Sequence, residues 1–377
     1  MNNSYRDVAG MLRELRPIQP VYCIYPRRYR KSTADFVKGF PGRVLYAVKA
    51  NDHPSVIRLL YDSGVRHFDC ASLPEVRRVA DLFPDATCYF MVPVRLRGAA
   101  AEAQQKYGVR HFVIDHVDGI ASLAAEIDMP NSVVFARMAV HHESAIMNLS
   151  AKFGAPPETI PSLIEAILAT GAEPALAFNV GSSVTRPEAY SYAIGVASEV
   201  MRQLPVKLRL VDIGGGFAMP YPEFPVPPIG EYLAAVREAM KELPLRPGGE
   251  ILCEPGRALA APGLTAVVEV LMRKEGDRLF INDGMYGIFW ELRCGGHESF
   301  PARVFRDGTL LSGNERSFRL YGPTCDSIDI LPGAVELPAE IRAGDYIEFS
   351  GIGAYSLSGR TDFNGHYSDN IVTIESD

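Results

Sequence analysis

The chain has 377 residues, 47% of them apolar and 22% charged, and a formal net charge of -7. That length supports a large core and more than one domain. An acidic balance with no long basic stretch argues against nucleic acid or an anionic membrane as a partner. No apolar run approaches the ~20 residues of a membrane-spanning helix, and the N-terminus carries no signal-peptide pattern. The six cysteines are scattered without a C-x-x-C pair. This speaks against a zinc site or a disulfide framework and fits a reducing cytoplasm.

In chain order, residues 21–25 read as a short strand and 32–37 as part of a helix. Predicted strands follow at 44–48, 67–70, 87–91, 111–114, 132–138, 174–180, 207–212 and 250–253. Helix-compatible stretches lie between them, at 54–62, 73–82, 98–107, 117–126, 157–169, 187–204 and 229–243. Short Val/Ile/Phe-rich runs alternating with helices predict a parallel sheet. Eight such strands over roughly 220 residues predict a (β/α)8 TIM-like barrel. A doubly wound sheet is the alternative, but no G-x-G-x-x-G follows the first strand. From about residue 261 helical periodicity gives way to short apolar runs at 264–271, 279–282, 303–305, 317–320, 346–349 and 371–374, punctuated by Gly, Pro, Asn and Asp. These predict an antiparallel β domain. The expected organisation is a barrel over 27–260, with 1–26 and 261–377 forming the β domain.

Function in a barrel sits where the strands end. Those ends collect Lys49, Asp69, Arg137, Asn179 with Ser182, Asp212 before Gly214-Gly215-Gly216, and Glu254 with Arg257. A lysine closing an apolar strand suits Schiff-base chemistry, and burial there is expected to depress its pKa. Three successive glycines let backbone N–H groups approach an anion. A lysine amine, an anion loop and a carboxylate are the parts that hold pyridoxal phosphate, PLP.

The chain resembles the barrel-type (fold type III, group IV) PLP-dependent decarboxylases, the family of ornithine, lysine and diaminopimelate decarboxylases. The resemblance is carried by Tyr46-Ala47-Val48-Lys49-Ala50-Asn51, Phe68-Asp69-Cys70-Ala71-Ser72, Leu149-Ser150-Ala151-Lys152-Phe153-Gly154, Asp212-Ile213-Gly214-Gly215-Gly216-Phe217 and Glu254-Pro255-Gly256-Arg257. In the second half it rests on Asp283-Gly284-Met285-Tyr286-Gly287, Gly322-Pro323-Thr324-Cys325-Asp326, Gly353-Ala354-Tyr355 and Phe363-Asn364-Gly365. It implies decarboxylation of an ornithine- or lysine-like amino acid through a Lys49 aldimine, with Glu254 facing the pyridinium nitrogen. Ser182, Gly214, Gly215, Gly216, Arg257 and Tyr355 would hold the phosphate, and Asp69 and Arg137 would line the site. Cys325 of a partner subunit would reprotonate the α-carbon, and Asp326, also from the partner, would meet a distal ammonium. Tyr286, Phe363 and Arg293 would belong to that substrate side. A homodimer with shared active sites is implied.

The sequence departs from the family at Asn179, where histidine is usual, and at Gly295, where ornithine decarboxylases carry a second distal carboxylate. A buried ammonium with fewer partners loses affinity. A modified or conjugated diamino acid is therefore an alternative substrate, with Glu291, Arg293, His297 and Glu298 as neighbouring groups able to read it. An amino-acid racemase on the same plan would place arginine opposite the ring nitrogen, which Glu254 argues against. A catalytically inactive regulatory homologue is disfavoured by retention of Lys49, Glu254, Cys325 and Tyr355. His141 and His142 are adjacent on an extended segment and face opposite ways, so no metal is expected there.

Overall fold

The computed structural model describes residues 3–223, 225–293 and 295–376. Eight parallel strands close into a barrel: β1 (Arg43–Ala47), β2 (His67–Cys70), β3 (Thr87–Phe90), β4 (His111–Ile114), β5 (Val133–Met138), β6 (Glu173–Phe178), β7 (Leu210–Asp212) and β8 (Glu250–Cys253), with β8 pairing back onto β1. Inward-facing Leu45, Tyr89, Val113, Phe135, Leu210 and Leu252 fill its interior. The opposite faces pack on the helical ring, so each strand is buried on both sides and reads as a continuous apolar run. Ser72 shows how the helices begin: its hydroxyl accepts from the N–H of Glu75 and caps helix Leu73–Leu82, which has proline in its first turn.

The second sheet has ten strands. Its long central strand, Leu264–Lys274, is flanked by Val21–Ile24 and by Tyr346–Ser350, both antiparallel to it. Ser4–Tyr5 and Val21–Ile24 run parallel to Ile371–Ile374, and Arg278–Ile281 runs parallel to Glu315–Tyr321, so the sheet is mixed rather than uniformly antiparallel.

Several elements escape the sequence reading, strand Thr309–Leu311 among them. Helix Val8–Leu15 is capped by Asp7. Strand Ile330–Pro338 alternates buried and exposed residues through two prolines and a glycine, which read as turn signals. A hairpin pairs Ala145–Met147 with Ser182–Val184 at the barrel mouth. Predicted helices at 187–204 and 229–243 end earlier as α-helix, at Met201 and Ala239.

Candidate active site

Residues just beyond the carboxyl ends of the strands line a cavity of roughly 290 Å³. Lys49 sits in a single 3-10 turn, Val48–Ala50, directly after β1. The turn is fixed from the β domain: Tyr355 N–H donates to the Ala50 carbonyl at 2.7 Å, Ser358 Oγ to the Lys49 carbonyl at 3.1 Å, and Asn51 Nδ2 to the Gly353 carbonyl at 2.9 Å. The Lys49 ammonium donates to Asp69 Oδ2 at 2.7 Å; Asp69 is buried, whereas the lysine side chain keeps 43% of its surface open.

The expected depression of the lysine pKa is not found. Burial pushes it down, but Asp69, Glu254 and Tyr355 together push it further up, and the amine is held above the ordinary lysine range. The acids outnumber what burial alone would do. Glu254, after β8, is driven well above the usual carboxyl range by burial and by Asp212 and Asp69, with Lys49 and Arg137 pulling the other way. Burial likewise raises Asp212 to about 7, against a hydrogen bond from the Gly214 N–H at 2.8 Å. From the sequence Asp212 is only one of the strand-end residues. Its place beside Glu254 gives it a role, since two buried carboxyls side by side retain a proton.

The glycine loop has the shape its sequence suggested. Gly214 and Gly216 have φ of 72° and 95°, and a Cβ on Gly215 would stand 2.5 Å from the Glu254 carbonyl. Ser182 opens the hairpin strand beside it. Asn179 turns its Oδ1 to the Gly181 N–H at 3.0 Å, so its carboxamide is partly committed to the loop. Arg137 lies 5.5 Å from the Phe153 ring. Arg257 is only 6% exposed, sits 5.2 Å from the Tyr355 ring and is ion-paired with the fully buried Glu291. Lys152 is a second cavity lysine that nothing in its local sequence pattern marks as functional.

The remaining predicted residues form a separate group. Tyr286 hydrogen-bonds Asp326 Oδ2 and stacks on Phe363, ring centroids 4.4 Å apart. Cys325 is exposed and its N–H donates to Asn364 Oδ1 at 3.0 Å. The Tyr286 hydroxyl, the Ile328 N–H and the nearby Arg293 hold Asp326 below the usual carboxyl range. None of Tyr286, Arg293, Cys325, Asp326 and Phe363 is among the described residues lining this chain's own cavity. Two of the four suggested distal readers are corrected. Glu291 is turned inward to Arg257, and His297 is buried in a stack on Tyr221 with ring centroids 3.8 Å apart, so neither is free to read a distal group.

Residues 27–261 match the family described as pyridoxal-dependent decarboxylase, pyridoxal binding domain. A lysine/ornithine decarboxylase of Selenomonas ruminantium is 32% identical over 343 residues, covering 88% of this chain and 83% of that protein. Antizyme inhibitor 2 of Xenopus laevis is 29% identical over 353 residues, covering 88% of this chain and 75% of that one. The crystal structure of SrLDC in complex with PLP and cadaverine superposes with a TM-score of 0.83 at 26% identity, covering 100% of this chain and 95% of that chain.

The site itself accommodates PLP. Asp69 Oδ1, Asp212 Oδ2 and Arg257 Nε are buried without a hydrogen-bond partner among the described residues, and the glycine loop leaves a cradle that side chains would fill. An unpartnered buried donor on a residue that lines a cavity, as Arg257 does, calls for a ligand. No helix among the described residues is long and apolar enough to cross a membrane. With its barrel, its mouth of lysine, carboxylates and glycines, and these relatives, the chain belongs to the pyridoxal-dependent amino-acid decarboxylase family, and PLP is its cofactor.

Proposed function

We propose that this protein decarboxylates an ornithine- or lysine-like amino acid, in active sites shared between the two subunits of a homodimer. The observation that carries the reading is Lys49, hydrogen-bonded to Asp69 in a cavity that also holds Glu254, the glycine loop and Arg257. PLP, when bound, supplies an electron sink for the carbanion left by loss of carbon dioxide. Lys49 anchors it. Glu254 holds a proton toward the ring nitrogen, and the crowding by Asp212 and Asp69 suits it to that task. The amides of Gly214, Gly215 and Gly216, Ser182, Arg257 and Tyr355 bind the phosphate. Arg137 and Asp69 orient what lies between them.

The second cluster supports the shared site. Cys325 is exposed and Asp326 half-buried, and neither lines its own cavity, as groups destined for a partner's mouth should be. Cys325 delivers a proton to the α-carbon, and Asp326, set by Tyr286 beside Phe363, receives the distal ammonium. Among the described residues five unpaired cysteines, four of them buried, support a reducing cytoplasm as the setting. A second reading, a diamino acid modified at its distal end, is favoured by Arg293, because it offsets the Asp326 charge that a free ammonium would use. An inactive regulatory role is disfavoured by the retention of Lys49, Glu254, Cys325 and Tyr355.

The test is carbon dioxide release from PLP-loaded protein offered ornithine, lysine, arginine, meso-diaminopimelate and conjugated diamino acids. Turnover of ornithine or lysine, lost in C325A and reduced mainly through KM in D326N, is expected. Turnover confined to conjugated diamino acids would favour the second reading. No release from any of them would contradict both.

A further inference from the structure

We infer that Glu291 sets how strongly the barrel mouth holds a phosphate group: it shares the charge of Arg257, so a phosphorylated ligand competes with a built-in carboxylate for one guanidinium. The inference rests on the reading of the mouth as a phosphate site. It adds a residue from the β domain that no part of that reading uses.

The pair joins the two parts of the fold. Arg257 opens the short helix Arg257–Ala260 at the end of β8, and Glu291 lies on the 3-10 turn Ile288–Arg293. The glutamate is fully buried, and among the described residues neither of its oxygens has a hydrogen-bond partner apart from this ion-paired guanidinium. On the arginine, Nη1 also meets the Tyr221 hydroxyl at 3.3 Å, while the buried Nε has no partner. One edge of the guanidinium is therefore held, and another donor remains for a ligand in the cavity it lines.

The backbone explains why the carboxylate points inward. The Gly295 N–H donates to the Glu291 carbonyl at 2.6 Å, closing the turn on itself. A Cβ on Gly295 would stand 2.6 Å from His297 Cε1. Gly295 is thus more than a lost distal carboxylate: it allows the turn that buries Glu291 and seats the His297 ring on Tyr221. A carboxylate here offsets the cost of burying the arginine before any ligand arrives. Once a phosphate arrives, two anions share one cation in a low-dielectric site, and their repulsion weakens the hold. Glu291 is in this sense a positioning residue that trades affinity for a preformed arginine.

Titration of wild type and E291Q with PLP, and with pyridoxal, which lacks the phosphate, separates this from a structural role. In E291Q the Kd for PLP is expected to fall about tenfold while that for pyridoxal stays constant. Inorganic phosphate is expected to raise the melting temperature of the variant more than that of wild type. Unchanged or weaker PLP binding in E291Q, or an equal change for pyridoxal, overturns the inference. Should E291Q not fold, E291D withdraws the carboxylate by one methylene and is expected to give a smaller tightening; weakening would contradict it. Failure of wild type to bind PLP at all would count against the proposed function, and the phosphate-induced melting shift would then decide the inference alone.

Discussion

The two ends of the barrel handle charge in opposite ways. At the floor, Arg209 grips both oxygens of Glu173 at 2.7 and 2.8 Å, and Arg43 reaches Glu250 and the Tyr89 hydroxyl. Tyr89 stacks on His111 and meets His67 edge-on, and the unpartnered atoms left there are neutral imidazole nitrogens. At the mouth, Asp69, Asp212 and Glu254 crowd around one lysine, and two carboxylate oxygens are left without partners. The floor completes its pairs and so serves stability. The mouth holds like charges together, a cost that only a ligand relieves.

Substitutions at each end should therefore have opposite signatures. The largest effect is K49A, which should lower carbon dioxide release by at least about 10³-fold. At the floor, E173A should leave kcat within about twofold and cost about 1 kcal/mol of stability, the pair being one-third exposed. Thermal melts alongside steady-state assays check both. Next, D212N should raise the melting temperature of the cofactor-free protein by removing a crowded charge, while lowering activity by about tenfold or more. A D212N variant that is both less stable and fully active would break the comparison.

The pH dependence of the cofactor-free protein should likewise divide by region. Burial, with Arg43 nearby, depresses His67 to about 4; burial with Arg43, Arg209 and His67 depresses His111 to about 3. The unfolded chain then binds more protons below about pH 6.5, so the floor's contribution is complete above that pH and is lost as pH falls toward 4 and 3. Asp212, raised to about 7, has the opposite sign: its folded state binds the proton more tightly, and stability falls as pH rises from about 4 to 7. Melts across this range should lose part of the acid-side fall in H111F and part of the neutral-side fall in D212N. The smallest effect belongs to the exposed rim, where R186A, which breaks the pair with Glu143, should leave both melting temperature and activity unchanged.

The barrel was legible because each of its strands is buried on both faces, so Leu45-Tyr46-Ala47 or His111-Phe112-Val113-Ile114 stands out against polar loops. The mouth was legible because a barrel places its strand ends on one rim, which gathers Lys49, Asp69, Asp212 and Glu254 from distant positions. What the sequence hid are the contacts that cross between the sheet domains. Nothing local says that Glu291 faces Arg257, since its neighbour Arg293 turns outward from the same short turn. The pKa of Lys49 was misjudged for the same reason. The strand that carries it implies burial, but Asp69 and Glu254 arrive from other strands and outweigh that burial.

Two lysines line the cavity, and Lys49 is the one proposed to hold the cofactor. The most direct test is borohydride reduction of the PLP-loaded protein followed by peptide mass mapping. The predicted result is a phosphopyridoxyl adduct on Lys49, absent from K49A. An adduct on Lys152, or none, would contradict the account.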